Sequence, residues 1–410
     1  MSAMRAALRY TLRGGVGVER RLGMLIARAA GIVAKNFGRH ECRALVLFGG
    51  YGRGEGGVVR ENGEERPHNN LDFLLVTTTR EALRRASLKR RLDDVLAPIV
   101  CEEGIGIDTG VMSDFELRHS PPRVIWFDLR WGHRTVLGDK GLIPSLRPLA
   151  ANAIEVEDVH NLLVNRASLL VINDAVLERG LLTKFHAEFV VKHLMKAIIG
   201  HGDALLFAYG RYHASYVEKQ KRIRECSTMV PGLTQLYDQA AEFRFEPRYA
   251  RYLGADLLPF VRRVRGVLAQ AHLAFEQFRS GATNCTFRNY AERVLLAEAP
   301  TSVSFAAVSK HQFRSWVNNP RSMGLPPAVE SAVRRSHPRK LLAAVLPTVL
   351  YGPTDDDHAR FVQKLLGATG SSSRDLRDAY LLHWAKYGDP NFHSTAIRLG
   401  LSLETARHDS

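Results

Sequence analysis

A glycine-rich turn that follows a short apolar segment most constrains how this chain can fold. The turn, GGYGRGEGG, occupies residues 49–57. Three apolar segments surround it, and each has the length and composition of a strand: ALVLF at 44–48, NNLDFLLV at 69–76 and GIGIDTG at 104–110. Glycines let a backbone approach a phosphate closely, and the acids Asp72 and Asp108 on the later segments are ligands for a divalent cation. The order predicts strands that end at a phosphate- and metal-binding site.

Strand geometry predicts which side chains share that site. Alternate residues of a strand point to the same face, so Asn70 and Asp72 are expected to lie together. Asp108 shares its face with Gly106 and Gly110, which leaves room for a ligand beside its carboxylate. These oxygens could therefore converge on Mg²⁺ or Mn²⁺ that bridges the phosphates of a nucleotide.

The same glycines also match two other nucleotide-binding patterns. GxGxxG, typical of dinucleotide-binding folds, spans residues 52–57. That fold needs a long helix directly after the glycines and an acid at the far end of the second strand. Residues 58–69 contain Asn-Gly, a proline and several acids, which predicts a loop, and Asp72 opens its strand. No Gly-Lys-Ser/Thr follows the glycines, so the context disfavours a P-loop as well.

Taken in order, these segments resemble the nucleotidyltransferase superfamily, which includes DNA polymerase beta and the minimal nucleotidyltransferases. The family pattern is a strand, a Gly-Gly or Gly-Ser pair that opens a short helix, acid-x-acid on the next strand and a third acid on a later one. Gly49 and Gly50 match the glycine pair, and Arg53 belongs to the Arg-Gly-Glu that often follows it. Asp72 and Asp108 match the second and third acids.

The resemblance covers about residues 40–140 and implies a fold and a reaction. The fold is a small mixed sheet with flanking helices, followed by further helices. The reaction is metal-dependent transfer of a nucleoside monophosphate from a nucleoside triphosphate to an acceptor, with release of pyrophosphate. Asp72 and Asp108 would bind Mg²⁺ or Mn²⁺. The residues that the resemblance assigns to the nucleotide phosphates are Gly49, Gly50 and Arg53.

Asn70 departs from the family pattern, because it stands where the first acid is expected. An amide offers one neutral oxygen in place of a carboxylate that can bridge two metal ions. This loss is expected to weaken one metal site by several kcal/mol at most. Two hypotheses follow. The chain is either an enzyme that uses Asn70 as a neutral third ligand, or a module that binds nucleotides or nucleic acid without turnover.

The region after about residue 155 has helical periodicity and supplies further candidates. Helices are predicted at 159–179, 185–207, 235–249 and 260–279. Lys192 and Lys196 are four residues apart and share a helix face. Relatives commonly bind the triphosphate with a lysine of this region, so the resemblance makes both lysines candidates, with Ser215 at the same cleft. The alternative is that the lysines are simply solvated.

The pattern along the chain predicts an α+β protein in four parts. A polymerase-beta-like nucleotidyltransferase domain is expected, followed by a mainly helical region. The parts are an N-terminal helical segment at 1–40, the nucleotidyltransferase-like domain at 41–150, a helical domain at 151–280, and a mainly helical extension of unknown role at 285–410.

Composition limits the environment and the partners. The chain has 410 residues, of which 45% are hydrophobic, and no stretch approaches the roughly 20 apolar residues of a membrane span. Its four cysteines are scattered, which suits a reducing compartment and predicts a cytoplasmic protein. The formal net charge of +15 favours a polyanionic partner such as RNA, although it also fits ordinary solvated basic faces.

Overall fold

The structure is a computed structural model in which helices predominate over a small sheet. It describes residues 9–180, 182–226, 230–254, 257–297, 324–389 and 391–401. The fold is mixed α+β and 64% helical, which confirms the predicted class. Parts of the predicted terminal segments, at 1–8, 298–323 and 402–410, lie outside the described residues. Within the described ranges, no helix combines the length and the apolar character needed to cross a membrane.

The chain divides into two compact units that interleave along the sequence. Unit 1 comprises Met1–Val159, Tyr209–Ser227 and Thr234–Arg251. Unit 2 comprises His160–Ala208, Thr228–Leu233 and Tyr252–Ser410. Two segments that follow the first helices of unit 2 therefore belong to unit 1.

A four-stranded sheet with strand order β5-β4-β1-β6 organises unit 1. The strands in chain order are β1 (Ala44–Phe48), β2 (Val58–Glu61), β3 (Glu64–Pro67), β4 (Leu71–Thr77), β5 (Ile107–Ser113) and β6 (Arg134–Gly138). Strand β1 is antiparallel to β4 and β6, whereas β4 and β5 are parallel. Phe48 lies opposite Asp72, and Asp72 lies opposite Asp108. The end of β1 and the starts of β4, β5 and β6 thus share one edge of the sheet.

The segment predicted as a loop at 58–69 is instead a hairpin of strands β2 and β3. Asn62 and Gly63 form its turn, with φ angles of 52° and 81°. Positive φ at both central residues is the geometry that Asn-Gly favours in tight hairpins. The Asn-Gly turn therefore explains why the segment before Asp72 forms a regular hairpin.

The helices that the structure describes surround this sheet in unit 1 and form unit 2. They are α1 (Val16–Asn36), α2 (Gly49–Arg53), α3 (Arg85–Glu103), α4 (Asp114–Arg118), α5 (Val124–Trp131), α6 (Val156–Leu177), α7 (Lys184–Ala208), α8 (Tyr216–Glu225), α9 (Leu233–Phe245), α10 (Leu257–Ser280), α11 (Phe287–Leu296), α12 (Pro327–Arg335), α13 (Pro338–Tyr351), α14 (Asp356–Leu366), α15 (Ser373–His383) and α16 (Phe392–Arg398).

Both faces of the unit 1 sheet are covered, which explains why its strands are almost continuously apolar. Leu45 and Leu47 pack in one buried cluster with α1 and α3. Ala44 and Val46, which point the other way, pack in a second cluster with residues of α4 and α5. This alternation fixes the face on which each side chain of β1 lies. In unit 2, α7 packs against α10 and α11 packs against α13.

Candidate functional site

Two carboxylates lie side by side at the start of parallel strands β4 and β5. Asp72 and Asp108 are paired in register; Asp72 is half-buried and Asp108 is exposed. Burial, together with the negative charge of Asp108, raises the pKa of Asp72 to about 6, against the opposing effect of Arg244 and Arg53. Two like charges held this close favour a cation between them.

Gly49 is required by the carboxylate beside it. Its φ is +67°, a conformation that favours glycine, and a Cβ there would lie 2.1 Å from Oδ2 of Asp72. A Cβ on Gly50 would lie 3.4 Å from Nη2 of Arg244, at van der Waals contact. The glycine pair at the start of α2 therefore lets the chain pass between an acid and a guanidinium.

Asn70 contacts Asp108 through its amide nitrogen. Nδ2 of Asn70 donates a hydrogen bond to Oδ2 of Asp108 at 2.9 Å. Its Oδ1 lies over Gly106, where a Cβ would be only 2.4 Å away. Asn70 thus orients the Asp108 carboxylate in this arrangement, and its use as a neutral metal ligand stays a prediction.

Arg53 lies at the centre of a buried ion cluster. Its side chain is 3% exposed, with Nε 3.5 Å from Oε2 of Glu55 and Nη1 3.6 Å from Oδ2 of Asp128. Burial disfavours the guanidinium cation, but Asp128, Tyr216 and Glu55 outweigh that effect and raise the pKa of Arg53. The cation is therefore fixed and largely neutralised by its own neighbours.

Ser215 is held by the same cluster at the start of α8. Its hydroxyl donates to Glu55, which also accepts the backbone N–H of Tyr216 at 3.0 Å. The Ser215 oxygen in turn accepts the backbone N–H of Glu218 at 3.2 Å and caps the helix. Ser215 and the Arg-Gly-Glu motif are thus brought together, while phosphate binding by Ser215 stays a prediction.

Two cations that lie over the ring of Tyr216 are not predicted from the sequence, and one of them, Arg244, is close to Gly50. The ring centroid of Tyr216 lies 4.1 Å from the guanidinium carbon of Arg244 and 4.5 Å from Nζ of Lys219, with Arg53 at 5.4 Å. Lys219 is buried, and Nε of Arg244 is buried without a hydrogen-bond partner among the described residues. The cap at Ser215 followed four residues later by Lys219 was the one local pattern that could have indicated Lys219.

The predicted lysine pair belongs to unit 2, on α7. Lys192 is half-buried, and its pKa is lowered by burial and by the charge of Arg398. Lys196 is exposed. Triphosphate binding by either lysine stays a prediction.

The metal-ligand set offered here is small. Among the described residues, no three His, Cys, Asp or Glu side chains are grouped so that they could hold a metal ion. Asp72 and Asp108 nevertheless fit the habit of Mg²⁺, which takes one or two protein carboxylates and completes its shell with phosphates and water. Burial is the largest cause of the raised pKa of Asp72, and the repulsion from Asp108 that adds to it is what such an ion would relieve.

Comparison with known proteins gives no relative for this chain. No family model matches it, and neither do any of the curated proteins or the solved structures.

Proposed function

We propose that unit 1 is a polymerase-beta-like nucleotidyltransferase domain. It transfers a nucleoside monophosphate from a nucleoside triphosphate to an acceptor and releases pyrophosphate. The observation that carries this proposal is the in-register pair Asp72 and Asp108 beside Gly49, with two carboxylates close enough to repel each other. The antiparallel β1–β4 and parallel β4–β5 pairings that create the pair also support it.

Asp72 and Asp108 would hold Mg²⁺ or Mn²⁺, which would supply positive charge to the α-phosphate and to the leaving pyrophosphate. The acceptor hydroxyl oxygen forms the new bond to the α-phosphorus, the bond to pyrophosphate breaks, and the hydroxyl proton passes to water. Asp72 binds the metal only when it is ionised to the carboxylate. Because its pKa is about 6 without metal, metal affinity and rate should fall as the pH drops below that value.

Arg244, which lies close to Gly50, is our candidate for binding the triphosphate beside the backbone of Gly49 and Gly50, and Lys219, over the same Tyr216 ring as Arg244, is the second candidate. The buried Nε of Arg244 has no hydrogen-bond partner among the described residues, and a guanidinium suits bidentate contact with phosphate oxygens. Arg53 is neutralised by Glu55 and Asp128, so its role is to position the turn.

The test is pyrophosphate release from each ribonucleoside triphosphate with Mg²⁺ or Mn²⁺. Asp72→Ala and Asp108→Ala should each lower the rate about a thousandfold, since metal charge stabilisation is worth several kcal/mol. Asp94→Ala, which removes an exposed acid of α3, is the matched control and should change little. Release that survives Asp72→Ala would contradict the proposal.

The second candidate is a module that binds nucleotides or nucleic acid without turnover. It is favoured by Asn70, whose amide nitrogen faces Asp108 where the family has an acid. Asn70→Asp separates the two candidates. Release that only Asn70→Asp supports would indicate a decayed site. If neither the parent nor Asn70→Asp releases pyrophosphate while both still bind nucleotide, the binding module is favoured.

A further inference from the structure

The aromatic ring of Tyr216 contacts three cations of unit 1. Tyr216 is the first residue of α8, and its side chain is half-buried. Its ring centroid lies 4.1 Å from the guanidinium carbon of Arg244, 4.5 Å from Nζ of Lys219 and 5.4 Å from the guanidinium carbon of Arg53. All three distances are within the roughly 6 Å over which the face of an aromatic ring attracts a cation. One ring therefore joins cations of α2, α8 and α9.

The backbone of Tyr216 is fixed to the glycine-rich turn. Its N–H donates a hydrogen bond to Oε2 of Glu55 at 3.0 Å, and the hydroxyl of Ser215 donates to the other oxygen of the same carboxylate. The backbone N–H of Glu55 in turn donates to the carbonyl oxygen of Gly50 at 2.8 Å. The start of α8, and with it the ring of Tyr216, is therefore held in a defined position relative to Gly50.

Arg244 connects this ring to the acid pair. A Cβ on Gly50 would lie 3.4 Å from Nη2 of Arg244. Burial and the charge of Asp108 raise the pKa of Asp72, and the charge of Arg244 acts against them. Within the described ranges, Nε of Arg244 is buried without a hydrogen-bond partner, and no carboxylate lies within ion-pair distance of the guanidinium. The ring of Tyr216 is thus the described group that holds this cation in place.

We infer that Tyr216 is a positioning residue whose ring holds the guanidinium of Arg244 beside Gly50, where Arg244 binds a phosphate group of the nucleotide. A guanidinium that is already held in place loses less conformational freedom when a phosphate binds, which strengthens binding. The hydroxyl of Tyr216 makes no hydrogen bond to the described residues, so the role belongs to the ring. The nucleotide as ligand rests on the proposed function, whereas the coupling between the ring and Arg244 in phosphate binding does not.

The experiment measures the affinity of the protein for inorganic tripolyphosphate by titration calorimetry, with and without Mg²⁺. Tyr216→Leu should weaken binding about threefold to thirtyfold, the range expected for one lost cation–π contact. Tyr216→Phe, which keeps the ring, should stay within about twofold of the parent. Tyr209→Leu, which removes an exposed tyrosine of unit 1, is the matched control and should change little.

A double-mutant cycle separates positioning from a general loss of structure. Arg244→Gln should weaken tripolyphosphate binding about tenfold to a hundredfold, because it removes charge-assisted hydrogen bonds to phosphate. In the Arg244→Gln background, Tyr216→Leu should change the affinity by less than about twofold, because the ring then has no guanidinium to hold. Thermal unfolding of each variant shows that it is folded.

Four results would overturn the inference. They are no tripolyphosphate binding by the parent, equal affinity of the parent and Tyr216→Leu, an equal loss in Tyr216→Phe and Tyr216→Leu, and full additivity of Tyr216→Leu with Arg244→Gln. Ring-dependent binding without any pyrophosphate release from nucleotides would support the positioning role and refute the proposed reaction. Release that Asp72→Ala abolishes, with a KM for nucleotide that Tyr216→Leu leaves unchanged, would support the reaction and overturn the positioning role.

Discussion

Asp72 in unit 1 and Asp174 in unit 2 are two half-buried acids whose pKa values are both raised. Their neighbours, however, carry opposite charges. Burial is the largest cause in both, and each pKa is raised to about 6. Asp174 is ion-paired with Arg265, whereas the carboxylate of Asp72 is paired in register with Asp108. A raised pKa therefore does not by itself mark a binding site. The sign of the closest charge distinguishes a structural ion pair from a place that favours a cation.

A neutral buried cluster of unit 2 contrasts with a charged buried cluster of unit 1. In unit 2, His201 and His272 contact the hydroxyl of Tyr351 at 3.2 and 3.4 Å, and burial lowers the pKa of both imidazoles. In unit 1, Arg53 and Glu55 are buried as ions. A fully hydrogen-bonded neutral network stabilises a core. A cluster of buried charges, in which some neighbours attract and others repel, suits recognition of an ionic ligand.

The largest expected effect tests the neutral network of unit 2. His201 has a pKa of about 4 in the folded protein, below its ordinary 6.5, because burial favours the neutral imidazole. The contribution of this neutral imidazole to stability is therefore complete above pH 6.5 and is lost as the pH falls towards 4. The loss should reach about 3 kcal/mol. Urea unfolding at neutral and acid pH should show a smaller loss for His201→Gln. His119→Gln, at an exposed histidine, is the control. Parallel pH dependence of parent and His201→Gln would contradict the network.

The next effect tests the acid pair directly. Mn²⁺ at about a hundred times its dissociation constant should stabilise the parent by about 2.7 kcal/mol, because it binds only the folded form. Asp72→Asn should abolish this gain, and Asp174→Asn should retain it. Thermal unfolding with and without Mn²⁺ measures both. If the two variants respond alike, the comparison between Asp72 and Asp174 fails.

The third prediction concerns the cost of the Asp72 charge without metal. The folded pKa is above the ordinary 3.8, so the carboxylate opposes folding fully above about pH 6 and not at all below pH 3.8. Asp72→Asn should therefore stabilise the metal-free protein at pH 7 by at most about 3 kcal/mol, or about 6–12 °C in melting temperature. The gain should vanish near pH 4. A lower melting temperature at pH 7 would show that the carboxylate is stabilised by its neighbours.

Local patterns made part of the fold and of the site predictable. The apolar segments around Asp72 and Asp108 were read as strands from short-range composition, and the structure has them as β4 and β5. The Asn-Gly pair at Asn62 and Gly63 is the usual sequence marker of a tight hairpin. The acids and the proline around it favour a loop, so the sequence analysis does not predict this hairpin.

The partners of Arg53 could not be predicted in this way. Asp128, Tyr216 and Arg244 come from α5, α8 and α9, and no spacing in the chain relates them to the glycine-rich turn. Unit 1 is made of three separate segments of the chain, so the sequence order does not show that these residues lie together.

The sequence by itself determined strands β1, β4 and β5, the glycine-rich turn and the two acids, because strand periodicity and glycine conformation act over a few neighbouring residues. Only the tertiary structure decided that Asp72 would share its surroundings with Arg244 and that Asn70 would turn its amide nitrogen to Asp108. Those features depend on which distant segments pack together, and burial and charge at such contacts have no local pattern in the chain.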